Sequence, residues 1–479
     1  MQGPLKFVGM MCVAVSASLL APASVAGQPA DDITFTKDVL PILQRSCQKC
    51  HRPGTAAPMS LLSYEEARPW ARAMKEQVSA RRMPPWHLDR SIGHFSPDPS
   101  LTDEEIATIA MWTDSGAPRG NPADAPAPLE MTDLRQWTYG EPDLIVSMKD
   151  GFLIPSEGPD FYPSETVDPG MTEDRYVKWV QIIPSAWCCV HHSHVYVSVP
   201  ETAEGLEEFK LGMGSNTEEI DLIEYAMGSS GQYYPEGTGR KLPAGGQFRF
   251  APHYHPWGEE TRDIQTVGIK FYPKGEVPEL IVTAHRLRTG IGNDWVLNRE
   301  AVEDRLLRAG YDLDLHADKM PADAWVDDNT LNGTALMSIP PNTVAKHERF
   351  WPLPDPALVL SFQPHMHFRG DRMLLEAIHV DGRREILIDV NKYEQTWQLV
   401  YPFKEPHLFP KGTVLHNVTW HDNTSNNRHN PDPSAWIGWG GRTMDEMGHG
   451  WSDIAFMTEE QYEERLSKQQ KERTTNNDQ

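Results

Sequence analysis

The sequence predicts a multidomain chain: a small all-α domain followed by two all-β sandwich domains. Three observations carry this prediction. Segments with helix start and stop signals fall before Gly116, apart from a polar helix and frayed tail at Glu459–Gln479. Forty Pro and 35 Gly disfavour a long helical bundle and favour short strands joined by turns. At about 100–200 residues per domain, the 479 residues make two to four domains. The stretch beyond the helical part is too long for one sandwich of about 100 residues, so two are expected. The formal net charge is 44 − 68 = −24. Such a surface repels phosphate backbones and argues against nucleic-acid binding.

Taken in order, residues 1–26 have the form of a secretory signal peptide. Lys6 precedes an apolar run from Phe7 to Leu20, and Ser24-Val25-Ala26 supplies small residues for cleavage. The run is shorter than the roughly 20 residues of a spanning helix. The expectation is a periplasmic or secreted protein with no membrane span in the mature chain. Cys12 would leave with the leader, so Cys47, Cys50, Cys188 and Cys189 remain.

Residues 27–120 form the helical domain. Asp38–Arg45 is a short helix leading into Cys47-Gln48-Lys49-Cys50-His51. Glu65–Arg82 is helical in composition, with Pro69 tolerable only in its first turn. Thr102-Asp103-Glu104-Glu105 is a capping box opening the helix Asp103–Thr113, and Gly116 stops it. C-x-x-C-H is the attachment motif of c-type haem. Two thiols at that spacing add to the haem vinyl groups, and His51 reaches the iron as proximal ligand. A zinc site needs further ligands at compatible spacing, and no βαβ context supports a redox dithiol. Met83, in a loop stiffened by Pro84 and Pro85, is the expected sixth ligand, with Met59 and His87 as alternatives. A helix before the motif and another closing the domain resemble the class I cytochrome c fold, over about residues 32–120.

Gly116 to Pro128 is rich in Pro and Ala, the composition of a semi-stiff spacer, and the linker is placed at 121–136. The sandwiches follow at 137–290 and 291–460, and a polar tail at 461–479. Their strands are read from β-branched or aromatic runs bounded by turn residues. These are Tyr176–Ile183, Val195–Val199, Thr266–Tyr272, Leu280–Leu287, Ala357–Phe362, Arg384–Val390 and Val414–Trp420.

The 19 His point to chemistry. Clusters stand at His191-His192-Ser193-His194, His253-Tyr254-His255 and His365-Met366-His367, with Met447 after Asp445-Glu446. In H-x-H on a strand, residues i and i+2 share a face and can converge on one ion. An adjacent His pair does so only from a bulge or turn. Imidazole suits copper and zinc, and a thioether shifts the preference towards copper. Outside the clusters, His285, His316, His347, His379, His407, His416, His421 and His429 are expected to be solvated. Cys188 and Cys189 are either buried thiols or a vicinal disulfide. A zinc hydrolase would want a carboxylate base as in H-E-x-x-H, which is absent.

The ordered set His-His, His-Tyr, His-x-His, Asp-Glu-Met resembles the type II copper, ascorbate-dependent monooxygenases, over roughly residues 137–460. These include peptidylglycine α-hydroxylating monooxygenase and dopamine β-hydroxylase. The resemblance implies two jelly-roll sandwiches with one copper on each. His191, His192 and His253 would hold an electron-transfer copper. His365, His367 and Met447 would hold the catalytic copper, which binds O2 and abstracts hydrogen from a substrate C–H bond. Peptide-amidating members carry Arg two residues before H-x-H, where this chain has Gln363, and Asn and Tyr where it has His449 and Trp451. A peptidyl-glycine substrate is therefore not expected, and the small-molecule or peptide substrate is left open. The tethered haem domain implies electron delivery to the three-His copper, replacing ascorbate in part or whole, with an external donor reducing the haem. The competing reading is a non-catalytic copper-binding, electron-transfer haem protein on the same fold.

Overall fold

The computed structural model describes residues 33–131, 135–198, 219–226, 231–289, 338–438 and 443–477, apart from residues 54, 56 and 58. The expected signal peptide and the boundary at 290/291 lie outside the described residues, as does His316. The described chain is mostly β-sheet with a few short helices. Among the described residues no helix is long and apolar enough to cross a membrane.

The helices come first. A π-helical turn at Phe35–Val39 runs into α1 (Leu40–Ser46), which ends at Cys47. α2 (Tyr64–Ala67) opens on a Ser63–Glu66 capping box, and Arg68–Trp70 joins it to α3 (Ala71–Ser79) as a 3-10 turn. Pro69 explains that tightening, since it removes one backbone donor. α4 (Asp103–Asp114) opens on the Thr102–Glu105 capping box and stops before Gly116, whose φ of +90° glycine tolerates best. These helices enclose their own core around Leu43, Ile109 and Trp112. The Pro/Ala-rich segment, read from the sequence as a semi-stiff spacer, is fastened to the helical part. Pro118 O accepts from Phe35 N and from the Trp112 indole, and Ala127 O accepts from Gln44.

The strands of the first β region are β1 (Leu144–Ser147), β2 (Phe152–Ile154), β3 (Glu165–Val167), β4 (Arg175–Ile183), β5 (Val190–Ser198), β6 (Glu219–Ala226), β7 (Gly231–Tyr233), β8 (Thr238–Leu242), β9 (Phe248–Tyr254), β10 (Thr261–Asp263), β11 (Thr266–Phe271) and β12 (Leu280–Arg288). The second region holds β13 (Ser338–Ile339), β14 (Val344–Pro352), β15 (Ala357–His365), β16 (Gly370–Ile378), β17 (Arg384–Val390), β18 (Tyr401–Phe409), β19 (Val414–Asp422), β20 (Ile437–Gly438) and β21 (His449–Phe456). The polar tail is helix α5 (Glu459–Asn477). All seven runs read as strands from the sequence overlap strands; Tyr272 lies just past β11, and Val199 lies outside the described residues.

One nine-stranded sheet, ordered β1-β11-β4-β8-β12-β21-β15-β18 with β7 on β4, spans both regions. The sheet β3-β9-β5-β6 covers its first half, and β14-β19-β16-β17 covers the second. Each half has its own core. Val180, Ile182 and Ile269 meet Val195, Leu222 and Phe250 in the first; Val359, Phe362 and Tyr401 meet Leu375, Ile388 and Leu415 in the second. The two expected sandwiches are thus present but share a sheet, because β12 pairs antiparallel with β21 over seven registered residues. Buried backbone groups must find partners, so the strand at the end of the first region takes them from the last strand of the second.

The helical part also reaches across the expected boundary. Leu88 and Phe95, between α3 and α4, are buried in the second β core. They make single β-bridges to Val390 and Phe403. Phe95 lies 5.4 Å from the Phe403 ring and 6.1 Å from Tyr401, and Trp86 lies 4.8 Å from Tyr401. Truncating a buried Phe costs about 3–5 kcal/mol. Phe95→Ala is therefore expected to destabilise the second sandwich by that order, read as a lower denaturant midpoint in urea melts. An unchanged midpoint would show that the excursion does not contribute to that core.

Candidate functional site

The first histidine group is made by a β-bulge. β5 pairs with β9 so that Val190 faces Tyr254 and His192 faces His253, and His191 is the extra residue between them. A bulge puts two successive residues against one. This satisfies the condition the sequence set for an adjacent His pair. His191, His192 and His253 present donor atoms within 4.8 Å of one another. The Nδ1 atoms of His191 and His253 face each other at 3.2 Å, close to the roughly 3.3 Å expected between tetrahedral ligands bonded at about 2.05 Å. Asp160 fixes His253, with Oδ2 2.7 Å from Nε2, and its other oxygen lies 2.7 Å from His255 Nδ1. His255 thus acts through Asp160 and is not one of the converging donors. Tyr162 stacks on His253 at 4.2 Å and places its hydroxyl 3.1 Å from Thr443 Oγ1, four residues before Met447.

The second group begins at the last residue of β15. Met366 is fully buried, with its N–H donating to Tyr393 Oη at 2.9 Å and its carbonyl accepting back at 2.6 Å. With Met366 pinned inward, His365 and His367 lie with ring centroids 5.3 Å apart. His365 Nδ1 lies 2.6 Å from Gln398 Oε1, and His367 Nδ1 lies 3.1 Å from Asp445 O. Each Nδ1 thus donates to an oxygen, which fixes the ring's orientation, as second partners do for metal-binding imidazoles. The fully buried Glu446 carboxylate accepts the N–H groups of His367 at 2.9 Å and Arg369 at 2.6 Å. Met447 lies between Glu446 and His449, and His449 is the cross-strand partner of His365. Both neighbours of Met447 on this loop therefore touch the H-x-H segment.

Sequence reasoning missed several residues here. His449 is buried, stacks on His365 at 5.6 Å, and has a buried Nε2 with no hydrogen-bond partner. His421, expected to be solvated, is fully buried beside the Met447 carbonyl at 3.0 Å, with its Nδ1 3.3 Å from that of His347. His285 and His416 are also buried, His416 between Glu376 and Glu348. None stands in a motif, because sheet neighbours far apart in sequence make the contact. Glu224 was missed for the same reason. It faces His194 across β5–β6, and Gln363 Nε2 donates to it. Gln363 also contacts Gln398 O at 3.4 Å. Glu224, Gln363, Gln398 and His365 thereby form one hydrogen-bonded chain, and His192 Nδ1 lies 3.8 Å from Glu224 Oε1 at its end.

The haem motif faces the same region. Cys47 and Cys50 are free thiols, with Cys47 pushed up to about 12 by burial and by Cys50. His51 Nδ1 lies 3.3 Å from Met59 O, which leaves Nε2 free for an axial ligand bond. A cavity of about 670 Å³ joins Cys50 on the helical side to Trp187 and Tyr225 of the first sandwich and Gln363 and Trp451 of the second. That is cofactor-sized, within the usual range of about 300–1,000 Å³. Of the motif, Cys50 lines this cavity; the spacing of the two thiols and the Nδ1-anchored His51 ring fit a covalently held haem. Met83 and His87 line a separate cleft of about 220 Å³ and do not line this cavity. Cys188 and Cys189 are joined as a vicinal disulfide between Trp187 and the first histidine group.

Several of these rings are held neutral. Burial and the second-region neighbour His367 lower His365 to about 3; burial and His347 lower His421 to about 3. Burial lowers His285 to about 3, and burial with His253 lowers His191 to about 4. Below pH 6.5 the unfolded chain takes up protons that these rings refuse until about pH 3–4, so stability falls as pH falls through that window. His194 works oppositely: burial lowers it, but Glu224 and Asp221 outweigh burial and raise it to about 9. Its contribution is complete below pH 6.5 and fades as pH rises towards 9. Thermal melts of the metal-free protein are thus expected to peak near pH 6.5 and fall steeply on the acid side. A melting temperature constant from pH 6.5 to 4.5 would contradict this.

No family model matches the chain, and no curated protein matches it. Among solved structures it is similar to an oxalate decarboxylase, at 11% identity over 68% of this chain and 79% of that chain, with a TM-score of 0.12. It is also similar to an oxalate decarboxylase variant from Bacillus subtilis, at 10% identity over 68% and 79%, with a TM-score of 0.13. The coconut allergen cocosin matches at 9% identity over 66% and 84%, with a TM-score of 0.13. Likenesses at these TM-scores carry no argument about the fold or the chemistry.

Proposed function

We propose that the chain is an exported copper-dependent monooxygenase that hydroxylates a substrate C–H bond with O2 and draws its electrons through its own c-type haem. The observation that carries the reading is the convergence of three imidazoles in one group, with the H-x-H pair beside a methionine loop in a second, the two bridged by Glu224 and Gln363, which line a cavity that also opens to Cys50. Bound there, copper would supply O2 chemistry and the haem would supply electrons.

The chain's own residues have definable tasks in this reading. His191, His192 and His253 hold one copper with nitrogen donors only, and Asp160 keeps His253 in one tautomer. His365, His367 and Met447 hold the other, and the thioether favours copper over zinc. Gln398 and Asp445 O orient both rings of that pair through their Nδ1 atoms. Glu446 fastens the Met447 loop to the H-x-H segment. Cys47, Cys50 and His51 would hold the haem, with Cys50 at the cavity, so that electrons need not come from free ascorbate; tethering supplies a high effective concentration of donor.

The test is metal and haem quantitation on protein from copper-supplied cells, followed by O2 consumption across a substrate panel. Two coppers and one haem per chain with substrate-dependent O2 uptake are expected. Bound copper with no O2 uptake on any substrate would favour the second reading, an electron-transfer protein, to which the same haem-facing cavity would belong.

A further inference from the structure

We propose that His192, His194 and Glu224 form a further metal position on the first sandwich, adjacent to the three-imidazole group and sharing His192 with it. It would take a divalent cation of the zinc or non-haem iron class. This inference does not rest on the monooxygenase reading.

Three observations point to it. First, the donors converge: one atom from each of His192, His194 and Glu224 lies within 4.8 Å of the others. His192 Nδ1 is 3.8 Å and His194 Nε2 3.6 Å from Glu224 Oε1. These gaps are slightly wider than the roughly 3.3 Å between ligands on one small divalent ion, so a modest closure completes the set.

Second, the atoms that aim at this point are orphaned. His192 Nδ1 and Glu224 Oε1 are both buried and have no hydrogen-bond partner. A buried carboxylate oxygen with nothing to accept from is costly, as is a buried imidazole nitrogen without a partner. A cation between them satisfies both at once.

Third, the surroundings orient the donors for such an ion. Gln363 Nε2 donates to the other oxygen of Glu224, leaving Oε1 free to turn inward. Asp221 Oδ2 lies 3.3 Å from His194 Nδ1, so a carboxylate backs the imidazole on the side away from Glu224. His194 Nδ1 is itself buried without a hydrogen-bond partner, and a small closure onto Asp221 would complete the carboxylate–histidine–metal pattern. Tyr196 stacks on the His194 ring at 5.3 Å and 14°, fixing its plane. After the bulge, β5 alternates regularly, so His192 and His194 share the outer face, and Glu224 registers against His194 from β6.

Two imidazoles and one carboxylate form a donor set used by zinc and non-haem iron, with room for water or a small ligand. It has no sulfur, unlike the Met447 group. The sandwich would then carry two neighbouring metal positions, one all-nitrogen and one with a carboxylate.

The test uses the full chain, stripped with chelator and reloaded with Zn²⁺ alone, with bound zinc counted per chain after gel filtration. Glu224→Gln keeps the size of the side chain and is expected to bind one equivalent less than wild type. His194→Ala is expected to lose the same equivalent. His191→Ala is expected to lose a different one, so the losses add in the Glu224→Gln/His191→Ala double variant. Full zinc content in both Glu224→Gln and His194→Ala would overturn the proposal. So would non-additive loss in the double variant, which would mean one centre rather than two. Should Glu224→Gln fail to fold, anomalous scattering from zinc-loaded wild-type crystals decides. A peak among His192, His194 and Glu224 supports the position, and its absence at full zinc loading overturns it.

Discussion

In Met447→Ala, O2-driven reoxidation of the reduced, copper-loaded protein is expected to slow at least about 100-fold. Loss of a residue that merely orients a ligand costs about 10–100-fold in metal affinity or activity, and Met447 would be a ligand itself. The sandwich should survive the change. Met447 is not among the buried core residues, and the loop is tied down independently of its sulfur. Arg369 donates to Met444 O at 2.8 Å and to Asn423 Oδ1 at 3.0 Å, while Glu446 holds the N–H groups of His367 and Arg369. Stopped-flow absorbance of the haem bands during O2 mixing reads the rate, and copper content read alongside separates lost metal from lost chemistry. Reoxidation at the wild-type rate would remove Met447 from the site and shift attention to His449, whose Nε2 has no partner.

The second large effect concerns the proposed haem. Cys47→Ala together with Cys50→Ala is expected to abolish covalent haem, seen as loss of the peroxidase-stained band on a denaturing gel. Electron delivery from the helical part to the histidine groups should then disappear, while ascorbate still reduces bound copper. Both expectations follow from position. Cys50 opens onto the cavity that Tyr225 and Gln363 also line, and Gln363 belongs to the polar chain linking the histidine groups. If copper reduction by an external haem-directed donor continued unchanged in the double variant, the haem would have no part in supplying the sandwiches.

The motifs were legible in the sequence because their residues are neighbours along the chain. C-x-x-C-H, His191-His192 and H-x-H each carry their own spacing, and strand periodicity predicts which face H-x-H presents. The capping box at Thr102 is legible on the same ground and sets the start of α4. Glu224, His421 and His449 were not legible. Each gains its meaning from a strand partner distant in sequence: Glu224 from His194, His421 from the Met447 loop, His449 from His365. Register is fixed by burial of one face and by bulges, and a slip of one residue would send every side chain to the other side. The burial of Leu88 and Phe95 in a remote core had no local signal either, since a short apolar segment between helices reads equally well as local packing.

By itself, then, the sequence determined the order of parts: helices before strands, a haem-type motif near the start, histidine groups at fixed places in the β region. Local chemistry and periodicity are sufficient for that. Only the tertiary structure decided that β12 and β21 merge the two sandwiches into one sheet. It also placed the bulge that turns His191 and His192 to one side, and gathered Glu224 and Gln363 between the histidine groups. The physical reason is that backbone pairing and buried polar atoms must be satisfied across the fold, and the partners that satisfy them lie far apart along the chain.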